Sequence, residues 1–145
     1  MGGANDPLFN PNITANQSFH ALIASTARLA AAHPTARFLF LAYPDLARIP
    51  LDFYLDGTTT KDALHTYSTD LAALFRDAVP QGLEGVTFVD VMPLFAEWEY
   101  YAAPAAFGFA PLGTYGSCLT GAYGETNEVT MCGEPERMVF WDEYQ

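Results

Sequence analysis

Basic residues are scarce in this chain. Six Lys and Arg stand against 17 Asp and Glu, Lys61 is the single lysine, and the net charge is −11. Phosphate backbones and anionic lipid would repel such a chain, which argues against nucleic acid or a membrane surface as partner. Long hydrophobic runs are missing too. No apolar stretch approaches the roughly 20 residues of a membrane span. Internal repeats and linkers rich in Pro, Gly or Ser are absent, so residues 1–145 read as one domain. The N-terminus carries neither the charged nor the apolar region of a signal peptide. No pair of His or Cys has metal-ligand spacing, and neither a metal nor a cofactor is expected.

Apolar mass is plentiful: half of the residues are apolar and 14% are aromatic, enough for a sizeable core. After a short polar loop through Asn12, Thr14 or Asn16 can cap a helix running to about His33, with Phe19, Leu22, Ile23 and Leu29 on its apolar side. Arg37-Phe38-Leu39-Phe40-Leu41-Ala42-Tyr43 is a nearly continuous apolar run, as expected of a parallel strand buried on both faces. Residues 45–60 read as irregular, with Pro50 and Gly57 as breakers. A second helix is predicted over 61–79, with Leu64, Tyr67, Leu71, Leu74 and Phe75 at helical spacing. Gly85-Val86-Thr87-Phe88-Val89-Asp90-Val91 reads as another buried strand, and Pro93 opens a third helix over about 94–102. Met138-Val139-Phe140-Trp141 makes a short extended segment. The alternation of helix and strand implies α/β crossovers on a parallel sheet.

Two cysteines, Cys118 and Cys132, flank a polar, Gly-rich stretch, and two glycosylation sequons begin at Asn12 and Asn16. The cysteines could be two buried thiols. With the sequons and the near absence of Lys, the reading is a disulfide in a secreted protein. A bridge would close residues 119–131 as a flap leading into the Trp141-Asp142 segment.

Both ends carry motifs. The chain opens Gly2-Gly3-Ala4-Asn5-Asp6 and closes Phe140-Trp141-Asp142-Glu143-Tyr144-Gln145. Upstream of the latter run Gly108-Phe109, Cys118, and Cys132-Gly133-Glu134-Pro135-Glu136. Taken in order, these resemble the GDSL or SGNH serine esterases and lipases, in particular the secreted fungal-type branch that includes carbohydrate acetyl esterases. The resemblance implies a flavodoxin-like, three-layer SGNH sheet lacking its first strands, which leaves an open edge and uncovered apolar surface. It makes Asn5 an oxyanion donor and Asp142 the acid of a Ser-His-Asp triad, facing one cleft from neighbouring sheet elements. It puts the triad His where Gln145 stands, and no Gly-Asp-Ser segment supplies the nucleophile. The implied activity is hydrolysis of acetyl or other short acyl esters, the partner a small-molecule or carbohydrate ester. This chain reads as a truncated member, inactive alone, or as a pseudoenzyme that binds a glycan or acyl group.

The chemistry requires those residue types for separable reasons. A tetrahedral oxyanion needs fixed donors, which the Asn5 amide can supply. A triad Asp holds its His in the useful tautomer, whereas a Gln amide has no proton titrating near neutral pH. Plainer readings exist as well: a helix cap or Asx turn for Asn5-Asp6-Pro7, and a solvated terminal pair for Asp142-Glu143. His20 and His65 fall within predicted helices and His33 at a helix end, so none is read as a replacement base. Ser117 reads as a loop serine. The aromatics Phe95, Trp98, Tyr100, Tyr101, Phe107 and Phe109 read mostly as core.

Overall fold

The computed structural model describes residues 3–42, 44–51, 58–81, 85–98 and 104–144. Helix α1 (Asn5–Phe9) and helix α2 (Ala15–Ala32) precede strand β1 (Phe38–Leu41) and a 3-10 turn (Leu46–Arg48). Helix α3 (Thr58–Ala78) runs into a second 3-10 turn, followed by strand β2 (Val86–Val89) and the short helix α4 (Met92–Ala96). Past a 3-10 turn at Pro104–Phe107 come the two-residue strands β3 (Leu119–Thr120) and β4 (Thr130–Met131) and a last 3-10 turn, Pro135–Arg137. The fold is mixed helix and strand around a small parallel sheet.

Local chemistry explains why α2 starts where it does. Thr14, not Asn16, is its cap: the Thr14 hydroxyl accepts from the Gln17 N–H at 3.2 Å, and the Gln17 side chain accepts from the Thr14 N–H at 2.9 Å. This reciprocal pair satisfies two donors that the first helical turn leaves open. The predicted polar loop before it contains α1. The predicted irregular stretch is partly helical, because Asp45 caps the Leu46–Arg48 turn through the Ala47 N–H.

Strands β1 and β2 pair in parallel, Phe38 opposite Val86 through Leu41 opposite Val89, with α3 as their crossover. Phe75 of α3 is the centre of the packing. Its ring stacks on Phe40 at 4.6 Å and on Phe88 at 5.8 Å, and meets Phe19 of α2 edge-on at 5.0 Å. Leu64, Tyr67 and Leu71 of α3, Ala15 of α2, and Leu46, Ile49 and Phe140 complete the buried cluster.

The expectation of strands buried on both faces needs correction. Burial alternates along β1 and β2: Phe40 and Phe88 pack against α3, whereas Leu39 is 60% exposed and Leu41 and Val89 are about 40% exposed. A continuous apolar run is fully buried only where helices cover both faces, and the described helices pack on one. Leu29, placed on the apolar side of α2, is likewise half exposed. Helix α4 starts at Met92 and makes little more than a turn; the expected continuation over 99–102 lies outside the described residues, as does Gly57. The Met138-to-Trp141 segment is extended but forms a single parallel bridge, Ser117 to Phe140.

Since Phe75 touches three elements at once, its truncation has no local remedy. Phe75→Ala is expected to cost about 3–5 kcal/mol, the usual penalty for emptying a buried aromatic site. Urea denaturation followed by circular dichroism measures it. A loss below about 1 kcal/mol would mean that the stack does not organise the core.

Candidate functional site

The C-terminal block is built on backbone pairing and one covalent bond. Cys118 and Cys132 form a disulfide, Cα to Cα 4.7 Å. The Cys118 N–H donates to the Phe140 carbonyl at 3.1 Å, the Leu119 N–H to the Trp141 carbonyl at 2.7 Å, and the Cys132 N–H to the Cys118 carbonyl at 2.8 Å. The flap between the cysteines is therefore anchored directly beside Phe140-Trp141-Asp142. Its turn begins at Gly121, whose φ of +83° favours glycine. An added Cβ there would meet the Glu128 carbonyl oxygen at 2.2 Å.

Asp142 is buried, not solvated. Its Oδ1 accepts from the Tyr144 N–H at 2.9 Å and its Oδ2 from the Tyr123 hydroxyl, on the flap, at 3.1 Å. The Asp142 carboxylate beside it raises the Tyr123 phenol above its ordinary pKa.

Glu143 is the most deeply placed acid among the described residues, 2% exposed, and its Oε2 receives no hydrogen bond. Burial, then the neighbouring Glu125 and Asp142 charges, push its carboxyl pKa up. Burial pushes Glu125 upward as well, but the N–H groups of Gly121 and Tyr123 on its carboxylate outweigh this and lower it. A protonated Glu143 beside an ionised Glu125 satisfies both shifts.

At the other motif, α1 begins at Asn5, whose side chain is exposed, and neither Asn5 nor Asp6 caps that helix. Asp6 accepts from the Ser18 hydroxyl at 2.5 Å. Tyr67 of α3 places its single hydroxyl proton between the Gly3 carbonyl at 2.9 Å and Ser18 Oγ at 2.7 Å. This network pins the Gly3-to-Asp6 block onto α2 and α3. Gln145 lies outside the described residues. Asn12 and Asn16 are exposed, so both sequons are accessible.

His65 is the residue that sequence reasoning undervalued. Its Nδ1 lies 2.5 Å from Oδ2 of the buried Asp45, which also holds the Ala47 N–H and faces Arg48 Nε at 3.5 Å. His65, Asp45 and Arg48 line a cleft of about 240 Å³ with Asp90, Met92, Pro93, Phe95 and Ala96. Neither Asn5 nor Asp142 is among its lining residues. The cleft lies beyond the carboxyl ends of β1 and β2, where open parallel sheets usually bind ligands. Asp90, which lines the same cleft, is held by the Arg76 guanidinium and the Met92 N–H. No spacing rule marks residues 45 and 65 as partners; only the folded crossover joins them.

The remaining candidates have structural surroundings. His20 is exposed and sits edge-on to Phe19, and His33 ends α2 in solvent. Ser117 lies in the bridge to Phe140. Trp98 packs among Phe95, Phe107 and Phe109, and Phe95 also meets Phe140. Tyr100 and Tyr101 fall outside the described residues. Among the described residues, no group of three His, Cys, Asp or Glu could hold a metal ion, and no helix is long and apolar enough to cross a membrane.

No protein-family model matches the chain, and no curated protein matches it.

Two predictions come from this block. A closed loop of about 15 residues stabilises a fold by about 3 kcal/mol in the chain-entropy model. Reduction of Cys118–Cys132, or a paired Cys→Ser replacement, is therefore expected to lower the unfolding free energy by that amount, read as a fall in the denaturation midpoint at unchanged m. An unchanged midpoint would refute a restraining flap. The second concerns pH. A folded-state pKa above the ordinary carboxyl value of 4.5 means that Glu143 contributes stability at low pH, and that this is lost as pH rises through the raised value. Glu143→Gln keeps a donor for Glu125 without titrating. It should raise Tm relative to the parent at pH 7–8, and the gain should vanish near pH 4. A gain of equal size at both pH values would dissociate the effect from ionisation.

Proposed function

We propose that the chain is related to the secreted GDSL/SGNH carboxylic ester hydrolases, and that its sheet is the flavodoxin-like sheet of that family. The reading makes Asn5 an oxyanion donor and Asp142 the triad acid. One observation supports it above the others: the disulfide, the flap and the Phe140-Trp141-Asp142 run, scattered along the sequence, form one spatial unit that buries Asp142. The parallel β1–α3–β2 crossover is consistent with the same ancestry. Disulfide and exposed sequons support an extracellular location. The substrates of the lineage are acetyl or other short acyl esters, including those on carbohydrate.

By itself the chain has no serine-esterase activity under this reading. There is no Gly-Asp-Ser segment, and Gln145 occupies the histidine position. An amide there cannot accept a proton from a nucleophile. Hydrolysis of 4-nitrophenyl acetate by the parent and by an Asn5→Ala, Asp142→Ala double variant is expected to proceed at the same rate. A rate that falls by about a hundredfold in the double variant, the usual cost of losing an oxyanion donor, would show a working site.

A second reading, a non-catalytic module that binds a glycan or acyl group, is favoured by the use made of Asp142. Its two oxygens are taken by Tyr123 and by the Tyr144 N–H. A carboxylate employed in holding the flap serves shape rather than proton transfer. Calorimetry with acetylated oligosaccharides should then give saturable heat without release of acetate, and absence of heat would remove this reading.

A further inference from the structure

We infer that His65, held by Asp45 in the cleft at the strand ends, is a reactive site that accepts a small acyl group. A carboxylate can only accept, so the contact of Asp45 Oδ2 with His65 Nδ1 places the neutral ring's proton on Nδ1. Nε2 then carries the free lone pair. Asp45 is itself fixed: it is buried, and its Oδ1 is held by the Ala47 N–H. The ring thus has one tautomer and one orientation, as the acid of a triad imposes on its histidine. His20 and His33 have no such partner among the described residues.

The surroundings suit the same chemistry. Met92, Pro93, Phe95 and Ala96 give the cleft an apolar wall, and its volume of about 240 Å³ admits a small acyl donor and little more. In the step itself, the Nε2 lone pair adds to the acyl carbon. The tetrahedral adduct collapses with loss of the alkoxide or phenolate, giving an Nε2-acylimidazolium. Asp45 faces the positive charge on that ring. Water then adds to the acyl carbon, the C–N bond breaks, and a carboxylic acid leaves with the imidazole restored, the proton left over from water neutralising the departed alkoxide or phenolate. No nucleophilic serine or cysteine is needed, since imidazole is itself a nucleophile in covalent catalysis. Roughly half of the His65 side chain stands in solvent, which keeps the reaction to activated esters and the acceleration small.

With three histidines in the chain, the test has internal controls. The intact protein is incubated with 4-nitrophenyl acetate, nitrophenolate release is followed, and a rapidly quenched sample is mapped by mass spectrometry. His65→Gln is expected to lower the rate about tenfold, well short of the factor a water-sheltered base supplies. His20→Gln and His33→Gln should leave it unchanged. Asp45→Asn, which keeps the turn cap, should fall between. If that variant does not fold, competition on the unmodified protein replaces it: diethyl pyrocarbonate should label His65 ahead of the exposed His20 and His33. Equal labelling of the three, an unchanged rate in His65→Gln, or acetyl found only on Lys61 or the α-amine would overturn the inference. The Asn5→Ala, Asp142→Ala variant separates the two sites. A fall in its rate with His65→Gln unchanged would place the activity at the terminal motifs and overturn the His65 assignment. A fall confined to His65→Gln supports that assignment and leaves the inactivity proposed for Asn5 and Asp142 untouched.

Discussion

The ring of Phe75 is the point on which the other elements depend. It lies between the strand pair and α2, stacked on Phe40 and Phe88 and edge-on to Phe19. Aromatic pairs in these geometries contribute beyond their buried area, by about 0.5–1.5 kcal/mol each. The consequence is geometric as much as energetic. Fixing Phe75 fixes the height of α3 over the sheet. Ser68, two turns earlier, then meets the Leu46 N–H at 3.1 Å, and His65 comes to rest on Asp45. The cleft at the strand ends is thus set by a packing decision made in the core.

The C-terminal block is held by different means. It contributes Phe140 and, at its margin, Val139 to the core, and is otherwise tied by backbone bonds and the disulfide. Its acids are crowded: Asp142, Glu143 and Glu125 converge with Tyr123 and Tyr144. Three carboxylates could not all ionise there without mutual repulsion. The Gly121 and Tyr123 N–H groups on Glu125 favour its charged form, whereas Glu143, buried and with no donor on its Oε2, is shifted toward its protonated one.

How much of this the sequence discloses depends on the range of the interaction. The capping box at Thr14 and Gln17 is a four-residue pattern and could be read directly. So could the helical spacing of Leu64, Tyr67, Leu71 and Phe75, and the pairing of the two cysteines. The two-sided burial of β1 could not be judged, because an apolar run such as Phe38-Leu39-Phe40-Leu41 is the same whether or not a second layer covers Leu39 and Leu41. Whether Glu143 is solvated or buried could not be read from its neighbours in sequence, since contacts such as the Leu51 N–H on the Glu143 carbonyl span more than ninety positions of chain. His65 and Asp45 are twenty residues apart, with neither spacing nor neighbours to mark them as a pair.

Two aspartates therefore exchange the roles that pattern alone would assign. Asp142 sits in a run that resembles a triad motif, yet a phenol and an amide N–H occupy its oxygens, and Gln145 stands where the resemblance puts an imidazole. Asp45 sits in no motif, yet it is buried, held by a backbone amide, and in contact with an imidazole nitrogen. What a carboxylate can do is decided by the group at its second oxygen. A hydroxyl donor makes it a strut; an imidazole makes it part of a base. By that criterion Asp142 holds the flap, and the reactive carboxylate we infer is Asp45, in the cleft where the two paired strands finish.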